Sequence, residues 1–168
     1  MFATAQVQFY DVMTFFHIAA VVVGFGPTFF YALLGNVATQ SGMRATLGAS
    51  RSIVKWNQTG LTYSMVVIFL TGMFLASYKD FWDMSEFFIS WGFVAIIALF
   101  GIVHGFFLPR EKAIVAMLEE EVAKPGGSES TDLPPEIAAR YEQIGKVGMA
   151  AGLLIILTIY VMTAKPFL

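Results

Sequence analysis

The 168-residue sequence contains no cysteine. That excludes disulfides, thiolate metal sites and cysteine nucleophiles, and leaves the redox compartment unreadable. Charge is scarce: Asp, Glu, Lys and Arg make up 13% of the chain, against about 25% in soluble domains. A formal charge of −2 leaves no basic face for nucleic acid. The opening MFATAQVQFYD carries no basic residue ahead of the apolar stretch, so no cleavable signal peptide is expected. The chemistry-bearing patterns are missing too. There is no HExxH, no Glu-x-x-His, no phosphate loop and no apparent Ser-His-Asp set. Asp11 and Glu86 fall at the ends of apolar runs and Lys146 near the inner end of the last one. No carboxylate pair is therefore expected inside the protein, and ion-coupled carriers usually place such groups at mid-depth.

What the chain has is apolar length. It is 57% hydrophobic, with a mean hydropathy of +0.70. Four apolar runs occupy residues 9–34, 60–78, 87–108 and 144–164. Each approaches or exceeds the roughly 20 residues that cross a bilayer at 1.5 Å per residue. Backbone in lipid must satisfy its own hydrogen bonds, so the runs are expected to be helices. The expected fold is all-α: one membrane domain over residues 1–168, a four-helix bundle with two longer cytoplasmic connections. Pro109 and Arg110 are expected to stop the third helix, and Lys165 and Pro166 to close the fourth.

Basic residues set the expected orientation. Arg44, Arg51, Lys55, Arg110, Lys112, Lys124, Arg140 and Lys146 belong to one side, and only Lys79 and Lys165 to the other. By the positive-inside rule the long connections face the cytoplasm and both termini face out. The acidic turn at residues 79–83 suits the outer face. Trp82, Trp91, Tyr10 and Tyr78 suit an outer aromatic belt, and Trp56 an inner one.

The first connection places Met43, Leu47 and Val54 on one helical face beside Arg44, Arg51 and Lys55. It reads either as an amphipathic helix on the inner membrane surface or as a continuation of the first span. The second connection begins as a helix over residues 110–123. Residues 124–131, rich in Gly and Ser, are expected to be flexible and protease-sensitive. Asp132 is expected to cap the next helix ahead of Pro134 and Pro135. Gly101-x-x-x-Gly105 and Gly148-x-x-x-Gly152 lie at matched depth and predict close helix contact, within the chain or in a dimer. The Gly24-Phe25-Gly26-Pro27 step predicts a kink.

The two histidines differ in setting. His17 lies well inside its run, where an imidazole is costly enough to suggest a function. The plain reading pairs it with Thr14 or a backbone carbonyl. The sharper reading makes it the ligand of a cofactor, haem b, with Met73 as the second axial ligand. Met73 is equally expected as core packing. His104 lies about one turn from the inner end of its span and reads as structural, with Tyr31 or Tyr63 as partner. The two histidines should stand some 14 Å apart along the membrane normal, too far to share one iron.

The layout resembles an uncharacterised bacterial integral membrane family of about four spans, domain of unknown function 2269. The residues that carry the resemblance are FFHIAAVVVGFG in the first run, Leu70-Thr71-Gly72, Trp91-Gly92 and the ending Val161-Met162-Thr163-Ala164-Lys165-Pro166. The first run also looks like those of the CopD copper-resistance proteins and of HemJ, the haem-linked protoporphyrinogen oxidase. The resemblance implies a multi-pass protein of a bacterial inner membrane and carries no established activity. From the residues, the expected function is a non-enzymatic accessory or assembly subunit. It would sit in the lipid bilayer beside a membrane-protein partner or a second copy. The alternative is a b-type haem or porphyrin-handling redox protein built on His17.

Overall fold

The computed structural model describes residues 8–78, 83 and 85–166. The expected outer turn at residues 79–82, with Lys79 and Trp82, lies outside them. Among the described residues the chain is helical, with no strand. The elements are α1 (Phe9–Phe25), a 3-10 turn (Gly26–Phe30), α2 (Tyr31–Gln40), α3 (Met43–Trp56), a π turn (Asn57–Leu61) and α4 (Thr62–Ser77). They are followed by α5 (Phe87–Ile102), a second π turn (Val103–Phe107), α6 (Leu108–Ala123) and α7 (Pro135–Ala164). These join into four long rods, Phe9–Gln40, Met43–Ser77, Phe87–Ala123 and Pro135–Ala164, each long and apolar enough to cross a membrane. At 1.5 Å per residue they reach about 45–55 Å, well beyond a hydrocarbon core of roughly 30 Å.

The rods outgrow the apolar runs at one end only, the end carrying the 40–43 turn and the 124–134 connection. Pro109 does not stop the third rod. The preceding π turn lets the Leu108 amide reach back five residues to the Val103 carbonyl. One extra residue in the turn eases the contact between a proline ring and the carbonyl four residues before it. The Gly-Pro step in the first rod is absorbed in the same manner, by tightening to 3-10 geometry at Gly26–Phe30.

Pairing is α1 on α4, α2 on α3, α3 on α6 and α5 on α7. At the connection end, Met43, Leu47, Ile114, Leu118 and Ile137 form one apolar cluster. Ile114 and Leu118 are almost fully buried. Where water reaches this end, each buried aliphatic side chain contributes about 1.5–3 kcal/mol. The amphipathic face of α3 therefore packs against α6 and α7 and not on a membrane surface. Arg51 also reaches Glu119 at 2.8 Å across that seam. A second cluster in mid-bundle is built on Phe25, Leu61, Met65, Leu99 and Ile155. A third, at the end carrying the chain termini, is built on Ala76, Phe88, Ile89 and Val161.

The close approaches are not those the glycine spacing predicts. A Cβ on Gly101, Gly105 or Gly148 would meet nothing within 4 Å. Between rods, the tight contacts are Gly24 on Ser64, where a Cβ would lie 2.5 Å from the serine Cβ, and Gly92 on Met162. The 124–131 stretch is docked. Carbonyls of Ser130 and Ser128 accept the amides of Met43 (2.8 Å) and Arg44 (3.2 Å) at the start of α3. Gly42 makes this possible with φ 105°, a conformation that costs other residues dearly. Asp132 caps nothing: α7 starts after Pro134 with no side-chain cap.

Candidate functional site

All four rods contribute to one cavity of about 770 Å³ in the connection-end half of the bundle. Its wall is largely aliphatic and aromatic, with Phe25, Phe29, Phe107 and Ile155 among the lining residues. Gly145, Gly148 and Gly152 line it from α7, which is why their lack of side chains leaves space there. Phe29, Met149, Leu153 and Ile156 belong to the wall and are also about half or more exposed. The cavity thus opens sideways, between the first and fourth rods.

One side of the wall is polar. Asn57, only 2% exposed, begins the first π turn. Its Nδ2 donates to both carboxyl oxygens of Glu111, at 2.9 and 3.0 Å. Its Oδ1 accepts the Tyr31 hydroxyl at 2.8 Å. Three rods are tied together through one amide. Glu111 is itself only 8% exposed. Beside this cluster, Ser50 and Tyr141 share a hydrogen bond of 2.6 Å, joining α3 to α7. The second π turn completes the level: His104 Nε2 lies 3.2 Å from Thr62 Oγ1, and Thr62 also donates to the Asn57 carbonyl at 2.7 Å. π turns inside α-helices often mark functional positions because they re-aim side chains. Here both π turns border the same polar cluster.

A family model described as a predicted integral membrane protein, DUF2269, matches residues 11–166. The chain belongs to this family. No curated protein and no solved structure matches it. Family membership and the four apolar rods together make the DUF2269 chain a multi-pass integral membrane protein of the lipid bilayer.

The DUF2269 protein holds His17 outside the cavity, against α4. His17 Nδ1 lies 2.9 Å from Thr71 Oγ1. Thr71 donates its single hydroxyl hydrogen to the Val67 carbonyl at 2.6 Å. With that hydrogen committed, the ring is assigned the tautomer in which Nδ1–H donates to Thr71 and Nε2 keeps its lone pair; the Ile68 backbone also hydrogen-bonds the ring. The ring is seated on Gly72, where a Cβ would come within 3.2 Å of His17 Cε1. Thr14 serves its own helix, donating to the Tyr10 carbonyl at 2.9 Å. Met73 is 44% exposed on α4, about 200° around the helix from Thr71.

His104 is stacked on Phe100, ring centroids 4.1 Å apart, and its Nδ1 lies 3.1 Å from the Phe100 carbonyl oxygen. Its partner is Thr62, not Tyr31 or Tyr63. Tyr31 is committed to Asn57, and Tyr63 is 70% exposed. The threonines that hold the two histidines are nine residues apart on α4, a rise of about 13 Å, so the rings stand at separate levels.

Asn57 and Glu111 escaped the sequence reading, which expected no buried carboxylate pair and named no single buried carboxylate. A signal existed. Leu108, Glu111, Ile114 and Leu118 fall on one helical face, as do Leu47, Ser50, Val54, Asn57 and Leu61. A polar residue interrupting an apolar stripe on two successive rods is the mark of a buried polar pair. Taking Pro109 as a stop hid the first stripe.

Proposed function

We propose that this DUF2269 protein is a non-enzymatic accessory subunit that holds a small amphiphilic molecule in its cavity. The cavity itself carries the reading. Its volume of about 770 Å³ falls within the roughly 300–1,000 Å³ typical of small-molecule sites. An apolar wall with a few convergent polar groups is what such a ligand requires, and the sideways opening suits entry from lipid. The eight-to-two distribution of basic residues favours an orientation with the cavity towards the cytoplasm and both termini outside, in a bacterial inner membrane. A protein partner or a second copy would meet the lipid-facing surface, where Gly101 and Gly105 stand open. Native mass spectrometry of protein extracted in mild detergent tests the proposal. It should detect one amphiphile per chain, absent from Gly148→Phe, which fills the cavity. A wild-type protein that carries no such molecule and takes up no neutral amphiphile would refute it.

One observation favours a second reading, haem held by His17; it does not extend to Met73, which lies about 200° around α4 from Thr71. The tautomer assigned from the Thr71 hydrogen bond keeps the Nε2 lone pair for a metal. Reconstitution with haem, comparing wild type with His17→Ala and His104→Ala, decides it. A Soret band lost only in His17→Ala supports haem binding. No band in wild type, or a band unchanged in His17→Ala, ends it.

A further inference from the structure

We propose that the cavity selects a lipophilic organic cation, with Glu111 as its counter-charge. This deepens the amphiphile-binding reading and rests on it. Glu111 lines the cavity at 8% exposure. A carboxylate offers about four lone-pair sites. Here a single amide nitrogen, Asn57 Nδ2, serves both oxygens. The ion pairs Arg51–Glu119, Lys124–Glu121, Arg140–Glu136 and Lys146–Glu142 all lie elsewhere. The polar wall around Glu111 is otherwise neutral hydroxyl and amide: Tyr31, Ser50, Asn57 and Tyr141. A buried carboxylate without a positive partner is unfavourable, and a cation arriving from outside the chain relieves that.

Two features specify which kind of cation. An inorganic ion needs several oxygen ligands, and no group of three His, Cys, Asp or Glu side chains that could hold one exists among the described residues. The rest of the wall is largely apolar and aromatic, with Phe25, Phe29, Phe107, Tyr31 and Tyr141 lining the same cavity. Aromatic faces attract organic cations that have shed their water. An apolar body with one positive centre satisfies the whole wall at once. An anion of the same shape would meet Glu111 with like charge.

Tetraphenylphosphonium and tetraphenylborate, nearly identical in shape and opposite in charge, make the test. Both are titrated by equilibrium dialysis against the full chain in nanodiscs of neutral lipid, alongside a neutral fluorescent amphiphile. The wild type should bind the phosphonium at least about tenfold more tightly than the borate. Glu111→Gln, which keeps the shape and loses the charge, should abolish that preference and still bind the neutral probe. Glu111→Asp, which keeps the charge, should retain the preference. Equal affinity of the wild type for the two ions overturns the proposal, as does undiminished phosphonium binding by Glu111→Gln. If the neutral probe binds and no charge preference exists, only the cation inference fails. If no probe binds, the amphiphile reading fails with it.

Discussion

Replacing Asn57 with leucine should be among the most damaging single changes in this protein. The side chain is buried and joins Tyr31 to Glu111 through one amide. Leucine has the same number of side-chain heavy atoms and the same branching, so no cavity forms and the main cost is polar. It strips the Tyr31 hydroxyl of its acceptor and Glu111 of its one donor group. A buried polar group left unsatisfied costs about 1–3 kcal/mol, and a charged one more. The two together predict a loss of about 3–5 kcal/mol, a large part of the roughly 5–15 kcal/mol available to a domain. The loss should shrink when the orphaned carboxylate is also removed. Asn57→Leu/Glu111→Leu should be more stable than the sum of the single changes by about 1–3 kcal/mol, the coupling expected of residues in one network. Reversible unfolding in mixed micelles, followed by circular dichroism, measures all three variants against wild type. A cost below about 1 kcal/mol for Asn57→Leu would refute the reasoning. So would strict additivity in the cycle, since independent sites do not share a hydrogen-bonded pair.

Further consequences concern packing and the connection. Gly24→Ala drives a methyl into Ser64 and should destabilise the bundle by about 1–3 kcal/mol, whereas Gly148→Ala meets open space and should be neutral or stabilising; the same unfolding assay reports both. Thr71→Val removes the His17 acceptor and should cost about 0.5–1.5 kcal/mol; an unchanged unfolding midpoint would argue that the bond is not made. Residues 124–131 should resist protease in inside-out vesicles, because Ser128 and Ser130 hold the start of α3. Gly42→Ala, strained at φ 105°, should expose them to faster cutting. Reporter fusions after Lys165 and within residues 126–130 should place the C-terminus outside and that connection inside; the reverse result would invert the orientation.

The parts of the fold that were legible in the sequence are those governed by local composition. Four long apolar runs can only be helices in lipid, and the run around His17 placed an imidazole inside a span, where it is half-buried. Partners were not legible, because they depend on which residues of distant rods share a level. Thr71 lies 54 positions from His17, and Thr62 lies 42 from His104. Glycine spacing shows that a close approach is permitted but not where one occurs. Gly24 and Gly92 are in tight contact while Gly101 and Gly105 face outward. Composition likewise marked residues 124–131 as flexible, since it does not show that two serine carbonyls meet two unsatisfied amides at a helix start. Proline reads as a helix stop, and the second π turn carried the helix past Pro109 and brought Glu111 into the bundle.

The cavity is the centre of the account, and a fluorescence titration with a neutral, environment-sensitive amphiphile tests it most directly. Three proteins suffice: wild type, Gly148→Phe and Gly101→Phe. Both glycines are open to a side chain, but only Gly148 lines the cavity. One saturable site should appear in wild type and in Gly101→Phe, with affinity reduced at least about tenfold in Gly148→Phe. Equal binding by all three proteins would mean that the amphiphile sits elsewhere, and would contradict the account.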